Sequence, residues 1–257
     1  MDFCSSFARE YNMNHKNRGL ALIFNHEFFK IPRLKTRLGT NVDAEELSKT
    51  FKKLGFDVTV HKDCKWQKIR ENVEKAAAQD HTDNDCLAIA ILSHGEHGCI
   101  YANDIQYKLD IILHYFTDKM CPTLAGKPKL FFIQACQGYL VDGGMMLNKC
   151  RTETDGDSSM SYNIPVHADF LISYSTIPGY TSWRNVGKGS WYIQSLIEEL
   201  TAMARRTTCS QFSLFQRVAI DFESNMQDNP IKARQIPCFT SMLTRMLHFG
   251  YKPNRTE

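Results

Sequence analysis

His94 and Cys136 carry the strongest chemical signal in the sequence. His94 closes the run "LAIAILSH" and Cys136 closes "KLFFIQAC"; in each case an apolar stretch ends at a reactive side chain with glycine close behind, at Gly95 and Gly138. A free thiol with a pKa of about 8.5 is only a few per cent thiolate at neutral pH, so a cysteine nucleophile needs an imidazole or another positive influence beside it. His94 can supply that influence, and as an acid it can protonate the amine that leaves when a peptide bond is split. Backbone N–H groups of Gly95 and Cys136 could bind the oxyanion developing on the attacked carbonyl, a contribution of about 3 to 4 kcal/mol in hydrolytic sites. From spacing alone, a histidine and a cysteine packed in the core is the competing reading.

The elements around this pair favour the rim of a sheet. Short apolar runs recur at Gly19 to His26, Phe56 to Lys62, Cys86 to His94, Lys129 to Cys136 and Ala168 to Thr176, and they read as strands apolar on both faces. Helix-like segments lie between them. "NVDAEELSKTFKKLGF" carries Leu47, Phe51 and Leu54 at helical spacing, with Asn41 and Asp43 as candidate caps, and "QKIRENVEKAAA" and "KLDIILHYFTDK" follow. Buried strands alternating with helices predict the α/β class, a mainly parallel sheet of about six strands with helices on both faces. Functional groups in such folds sit at the carboxyl ends of strands, where His94 and Cys136 fall on two consecutive ones.

Composition narrows the class further. With 257 residues, 43% of them hydrophobic and 23% charged, the chain can bury a sizeable core. A net charge of +3 is too small to predict a nucleic-acid or membrane surface, so individual arginines carry more weight than the total. "MDFCSSFARE" lacks a basic-then-apolar signal, and no apolar run approaches the ~18 residues of a spanning helix, so a cytoplasmic chain is expected. Nine cysteines, an odd number without a framework, read as reduced thiols, and Cys86 and Cys238 in apolar runs read as core residues. No CxxC pair occurs. His94, His97 and Cys99 lack a fourth partner at metal-site spacing, so neither a metal nor another cofactor is expected.

From Gly138 to Asn163 the sequence turns to Gly, Asp, Ser and Thr without an apolar period, the best linker in the chain. Beyond it, a strand from Ala168, helix-like stretches from Gly189 to Arg206 and around Phe212 to Ser224, and a strand-like "QIPCFTSMLT" complete the sheet. One fold interrupted by an exposed loop is expected.

"SHGE" at Ser93 to Glu96 and "QACQG" at Gln134 to Gly138 resemble the paired signature of caspases. The resemblance runs from Tyr11 to Phe249 through "RGLALIFNH", "LGTNVDAEEL", "IPVHADFLISYST", "SWRN" and "QIPC", most closely to effector caspases of insects. It implies the caspase fold, with a short segment 1–10, a large-subunit segment 11–155 and a small-subunit segment 156–257 that complete one sheet and pair into a dimer. It implies an aspartate-specific cysteine endopeptidase acting in apoptosis, with Cys136 as nucleophile and His94 as acid/base. By the same resemblance Arg37, Gln134 and Arg184 form the pocket for the substrate aspartate, a suitable task for the planar fork of arginine. Thr181, Ser182, Trp183, Asn185 and Trp191 match positions along the groove. Asp155 in "TETDG" reads as the site of activating cleavage by an upstream initiator caspase. With ten residues before Tyr11, no recruitment domain is expected. Protein substrates with exposed aspartates, a homodimer or heterodimer with a related caspase, and inhibitor-of-apoptosis proteins are the implied partners.

Three features depart from the family pattern. Thr181 stands where an aromatic residue usually walls the groove. Thr207, Thr208, Ser210, Gln211 and Ser213 interrupt a region near the expected dimer interface, and Tyr139 and Leu140 follow the cysteine motif where charged residues are common. These keep open a weakly active caspase-like chain that modulates a related caspase by pairing with it. The retained Arg37, His94, Gln134, Cys136 and Arg184 argue for the protease, and the arginine pair disfavours a bacterial-type peptidase of other specificity.

Overall fold

The computed structural model describes residues 8–96, 98–141, 168–205, 235–250 and 252. Along the chain run β1 (Leu20–Asn25), α1 (Thr40–Lys53), β2 (Asp57–Lys62), α2 (Trp66–Ala77), β3 (Leu87–Leu92), the short strands β4 (Gly95–Glu96), β5 (Cys99–Tyr101) and β6 (Gln106–Tyr107), and α3 (Leu109–His114). Then come β7 (Lys129–Gln134), β8 (Phe170–Tyr174), the hairpin β9 (Arg184–Asn185) and β10 (Gly189–Ser190), α4 (Trp191–Arg205) and β11 (Cys238–Ser241). Six strands form one sheet in the order β11-β8-β7-β3-β1-β2. β2, β1, β3, β7 and β8 pair in parallel, and β11 joins β8 antiparallel.

Alternation along the strands explains why both faces are covered. Ala21 and Ile23 of β1, Ala88 and Ala90 of β3, and Leu130 and Phe132 of β7 pack with α1 and α4. Their neighbours Leu22, Phe24, Ile89, Ile91, Phe131 and Ile133 point the other way, onto α2 and α3. Every residue of β3 and β7 is buried, as a two-faced apolar run requires. β2 differs from expectation: it lies at the sheet edge, where Val58 still packs on the core beneath α1, but Asp57, Thr59, Val60 and Lys62 are exposed.

Helix ends were the least legible feature. α1 starts after Gly39, whose φ of 88° suits glycine, and no side chain caps it. Asp43 and Asn41 are not caps; Asp43 lies buried inside the first turn and Asn41 bonds Asn25 and Glu27. α3 ends at His114, short of the expected Lys119, where the Thr117 hydroxyl donates to the His114 carbonyl and takes an acceptor from the helix. The expected helix around Phe212 to Ser224 lies outside the described residues. Among the described residues, no helix is long and apolar enough to cross a membrane.

His26, the residue after β1, is fully buried and its ring Nε2 lies 3.1 Å from the Cys64 carbonyl. Burial, with the charge of Arg37 as a smaller contribution, pushes it down from its ordinary value to about 4. The folded state therefore binds the proton less well than the unfolded chain does, and the associated stability, about 3 kcal/mol, is present above pH ~6.5 and lost as pH falls toward 4. Urea unfolding at pH 7 and 4.5 should show a large loss of stability, and His26→Gln should make that loss about 3 kcal/mol smaller, leaving the part that comes from other buried histidines; an unchanged pH slope in that variant would contradict the assignment.

Candidate active site

The carboxyl ends of β1, β3, β7 and β8 lie side by side, and the strand order reverses at β1, the topological position where α/β sheets bind ligands. β3 and β7 are in register with Leu92 opposite Gln134, and the Ser93 N–H donates to the Gln134 carbonyl at 3.0 Å. His94 and Cys136, each two residues beyond that last pair, therefore leave the same rim on neighbouring strands. Gly95 packs directly on the second of these loops: a Cβ there would lie 2.5 Å from the Cys136 carbonyl oxygen and 2.9 Å from the Ala135 Cβ. Only glycine permits this approach without a backbone shift.

His94 Nε2 lies 2.7 Å from the Lys35 carbonyl oxygen. A carbonyl only accepts, so the proton sits on Nε2 and Nδ1 keeps its lone pair. The Phe29 ring, 4.9 Å away between centroids, packs against the imidazole. Burial pushes His94 down to about 4, the bond to Lys35 opposes this, and the charges of Arg37 and Arg184 add to it. The ring is neutral at pH 7. The Cys136 Sγ accepts from the Ser182 N–H at 3.3 Å and lies 3.8 Å from the Ser182 carbonyl oxygen.

Beside the thiol is a pair of cations. Arg37 is only 1% exposed and donates from one terminal nitrogen to the His26 carbonyl and to Thr40 Oγ1, both at 2.8 Å. Thr40 Oγ1 donates in turn to Asn25 Oδ1, Asn25 bonds Asn41, and Asn41 bonds Glu27, so polar residues around the end of β1 hold the guanidinium in place. Arg184 donates from Nε to the Leu38 carbonyl at 2.8 Å. Burial, then the charge of Arg184, pushes Arg37 down to about 9, while Asp43 and Cys136 oppose the shift. Arg184 is lowered for the same first reason and supported by the same two groups. Both remain cationic at neutral pH. Gln134, 2% exposed, donates from Nε2 to Ser182 Oγ at 2.7 Å, and its buried Oε1 has no hydrogen-bond partner among the described residues.

Other expected positions fall into two groups. The rings of Trp183 and Trp191 stack with centroids 6.5 Å apart, and the Thr181 N–H donates to the Leu140 carbonyl at 2.8 Å, which ties the loop after Cys136 to the loop before β9. Asn185 turns its side chain back on its own hairpin and accepts from the Gly187 and Lys188 N–H groups. Gln235 bridges the region: its Oε1 accepts from the Trp183 N–H and its Nε2 donates to the Ser175 carbonyl, both at 2.6 Å. The roles of Gln235, Ser190 and the Lys35 carbonyl were not legible in the sequence, because each acts by one contact across the fold. Asp155, His97 and the polar positions Thr207, Thr208, Ser210, Gln211 and Ser213 lie outside the described residues. Cys86 is buried, as expected of a core thiol, and burial pushes it up to about 12.

Comparison with known proteins gives the family. The family model described as "Caspase domain" matches residues 18–248. Caspase-1 of Drosophila melanogaster is 66% identical over 96% of this chain and 78% of its own length, and caspase drICE of the same fly is 60% identical over 95% of this chain and 74% of its own. The crystal structure of caspase-1 from Spodoptera frugiperda superposes with a TM-score of 0.83 at 52% identity, over 98% of this chain and 96% of that one. The chain belongs to the caspase family, and it is a cysteine-type endopeptidase that cleaves after aspartate.

Proposed function

We propose that the chain is an effector-type caspase acting in apoptosis in the cytoplasm, with Cys136 as nucleophile and His94 as acid/base. The observation that carries this is the pair of guanidinium groups, buried Arg37 and half-buried Arg184, within electrostatic reach of the Cys136 thiol. In this reading His94 Nδ1 takes the thiol proton while Nε2 stays bonded to Lys35, and the thiolate attacks the carbonyl carbon of the scissile bond. The oxyanion is held by the Gly95 and Cys136 N–H groups. Imidazolium then gives its proton to the leaving amine, the C–N bond breaks, and a thioester remains. Water attacks the thioester as His94 accepts its proton, and the thiol is restored with release of the new carboxyl terminus.

Specificity rests on charge. The substrate aspartate meets Arg37 and Arg184, and Gln134 adds an N–H if its amide turns over so that oxygen faces the Ser182 hydroxyl. Thr181, Ser182, Trp183 and Trp191 line the groove for residues upstream of the aspartate, and Asn185, whose side chain holds its own hairpin, shapes the groove's edge. A substrate without the carboxylate leaves buried Arg37 and half-buried Arg184 without a substrate anion, a penalty of several kcal/mol.

The same reading divides the chain at Asp155 into a large segment, 11–155, and a small one, 156–257, cut by an upstream initiator caspase. The sequence around Asp155, an aspartate followed by glycine in a polar stretch, supports this. β11, an outer strand of the described sheet, supports pairing into a homodimer or a heterodimer with a related caspase, because an edge strand offers backbone groups to a second chain. Protein substrates with exposed aspartates and inhibitor-of-apoptosis proteins are the further partners.

Two measurements test these assignments. The cleaved chain should turn over an Asp-ending peptide reporter at least ~100-fold faster than its Asn counterpart, as loss of about 3 kcal/mol or more requires, and Cys136→Ala should abolish turnover; equal rates would overturn the pocket. Exposed to an initiator caspase, the parent chain should split between Asp155 and Gly156, whereas Asp155→Ala should remain intact there by mass spectrometry. Splitting of the variant at that bond would refute the processing site.

A further inference from the structure

Buried Arg37 and half-buried Arg184 repel each other, and a carboxylate that is neither substrate nor catalyst lies next to both: Asp43 follows Thr40, the partner of Arg37, by one helical turn and bonds Ser190, which pairs with Arg184 across the β9 to β10 hairpin. Asp43, 2% exposed, lies inside the first turn of α1. Its Oδ1 accepts from the Ser190 N–H at 2.7 Å and its Oδ2 from the Ser190 hydroxyl at 2.5 Å. The chain reaches it through Gly189 at φ 90°, where a Cβ would fall 2.3 Å from Asp43 Oδ1. Burial raises the Asp43 carboxyl, while Ser190 and both arginines pull it back toward ionisation. Its negative charge in turn supports the protonated form of each arginine.

We propose that Asp43 is an internal counter-ion to the Arg37 and Arg184 pair, so that an entering aspartate shares two cations with a carboxylate the enzyme already holds. The proposal rests on the reading of those arginines as the aspartate pocket. A buried and a half-buried cation side by side without an anion are costly, and Asp43 offsets that cost while the site is unliganded. When substrate aspartate arrives, Asp43 repels it. The enzyme thus gives up some affinity for the carboxylate, both in substrate and in the product that must leave, in exchange for a pocket that stays assembled alone. Asp43 is a positioning and specificity-determining residue in this account, not a catalytic one.

A merely structural role, anchoring the β9 to β10 hairpin on α1, makes a different prediction. In the full chain carrying Cys136→Ala and cut in its linker by an added related caspase, the affinities of one fluorescent tetrapeptide ending in Asp and its twin ending in Asn are measured. Asp43→Asn keeps the shape and removes the charge, so the Asp-to-Asn affinity ratio should rise on the order of tenfold. Ser190→Ala keeps the charge and loosens the anchor, so the ratio should stay at the parent value. A ratio that falls or does not move in Asp43→Asn, or that rises equally in Ser190→Ala, overturns the proposal. If Asp43→Asn is unfolded alone, the Asp-ending peptide should restore its cooperative thermal transition and the Asn-ending twin should not; restoration by neither or by both equally also overturns it. No Asp preference in the parent would instead refute the pocket itself.

Discussion

The site depends on keeping Arg37 charged in the interior. A guanidinium 1% exposed must find hydrogen bonds and a nearby anion within the fold, because water cannot solvate it there. The chain supplies these from one short region: the His26 carbonyl just past β1, the Thr40 hydroxyl at the start of α1, and Asp43 one helical turn later. The turn between β1 and α1 is thereby fixed. That turn also delivers the Lys35 carbonyl to His94 and the Leu38 carbonyl to Arg184. One buried charge therefore couples the tautomer of the imidazole to the position of the second arginine.

The strands were legible because β1, β3 and β7 are covered on both faces, so hydrophobicity alone marks them. The same signal located His94 and Cys136, since reactive residues at strand ends interrupt an apolar run. It overstated β2, where two valines and a threonine suggested a buried strand and the edge position decided otherwise. The short antiparallel strands β4, β5 and β6 were not anticipated, as two- and three-residue ladders leave no period to read.

Polar residues were harder. Asp43 stands where a helix cap is expected, and only the tertiary contact with Ser190, 147 residues away, reveals that its carboxylate is turned onto the β9 to β10 hairpin. Asn185, expected along the groove, spends its side chain on its own hairpin turn. In both cases short polar side chains have several local and distant partners of similar strength, and packing selects among them. Resemblance placed Arg37 and Arg184, whose types alone would suit any surface ion pair.

β7 and β8 are adjacent parallel strands, yet the chain between them runs from residue 135 to 169. A parallel pair needs a long connection to form, but once formed its hydrogen bonds and buried faces no longer rely on it. The connection acts on the search for the fold more than on the folded state, by holding two halves at high effective concentration. A chain cut there after folding would keep its sheet, whereas the same two pieces, once separated in denaturant, would have to find each other by collision. Assembly would then depend on the product of their concentrations, which makes the native arrangement of a cut molecule one that is inherited from the uncut chain.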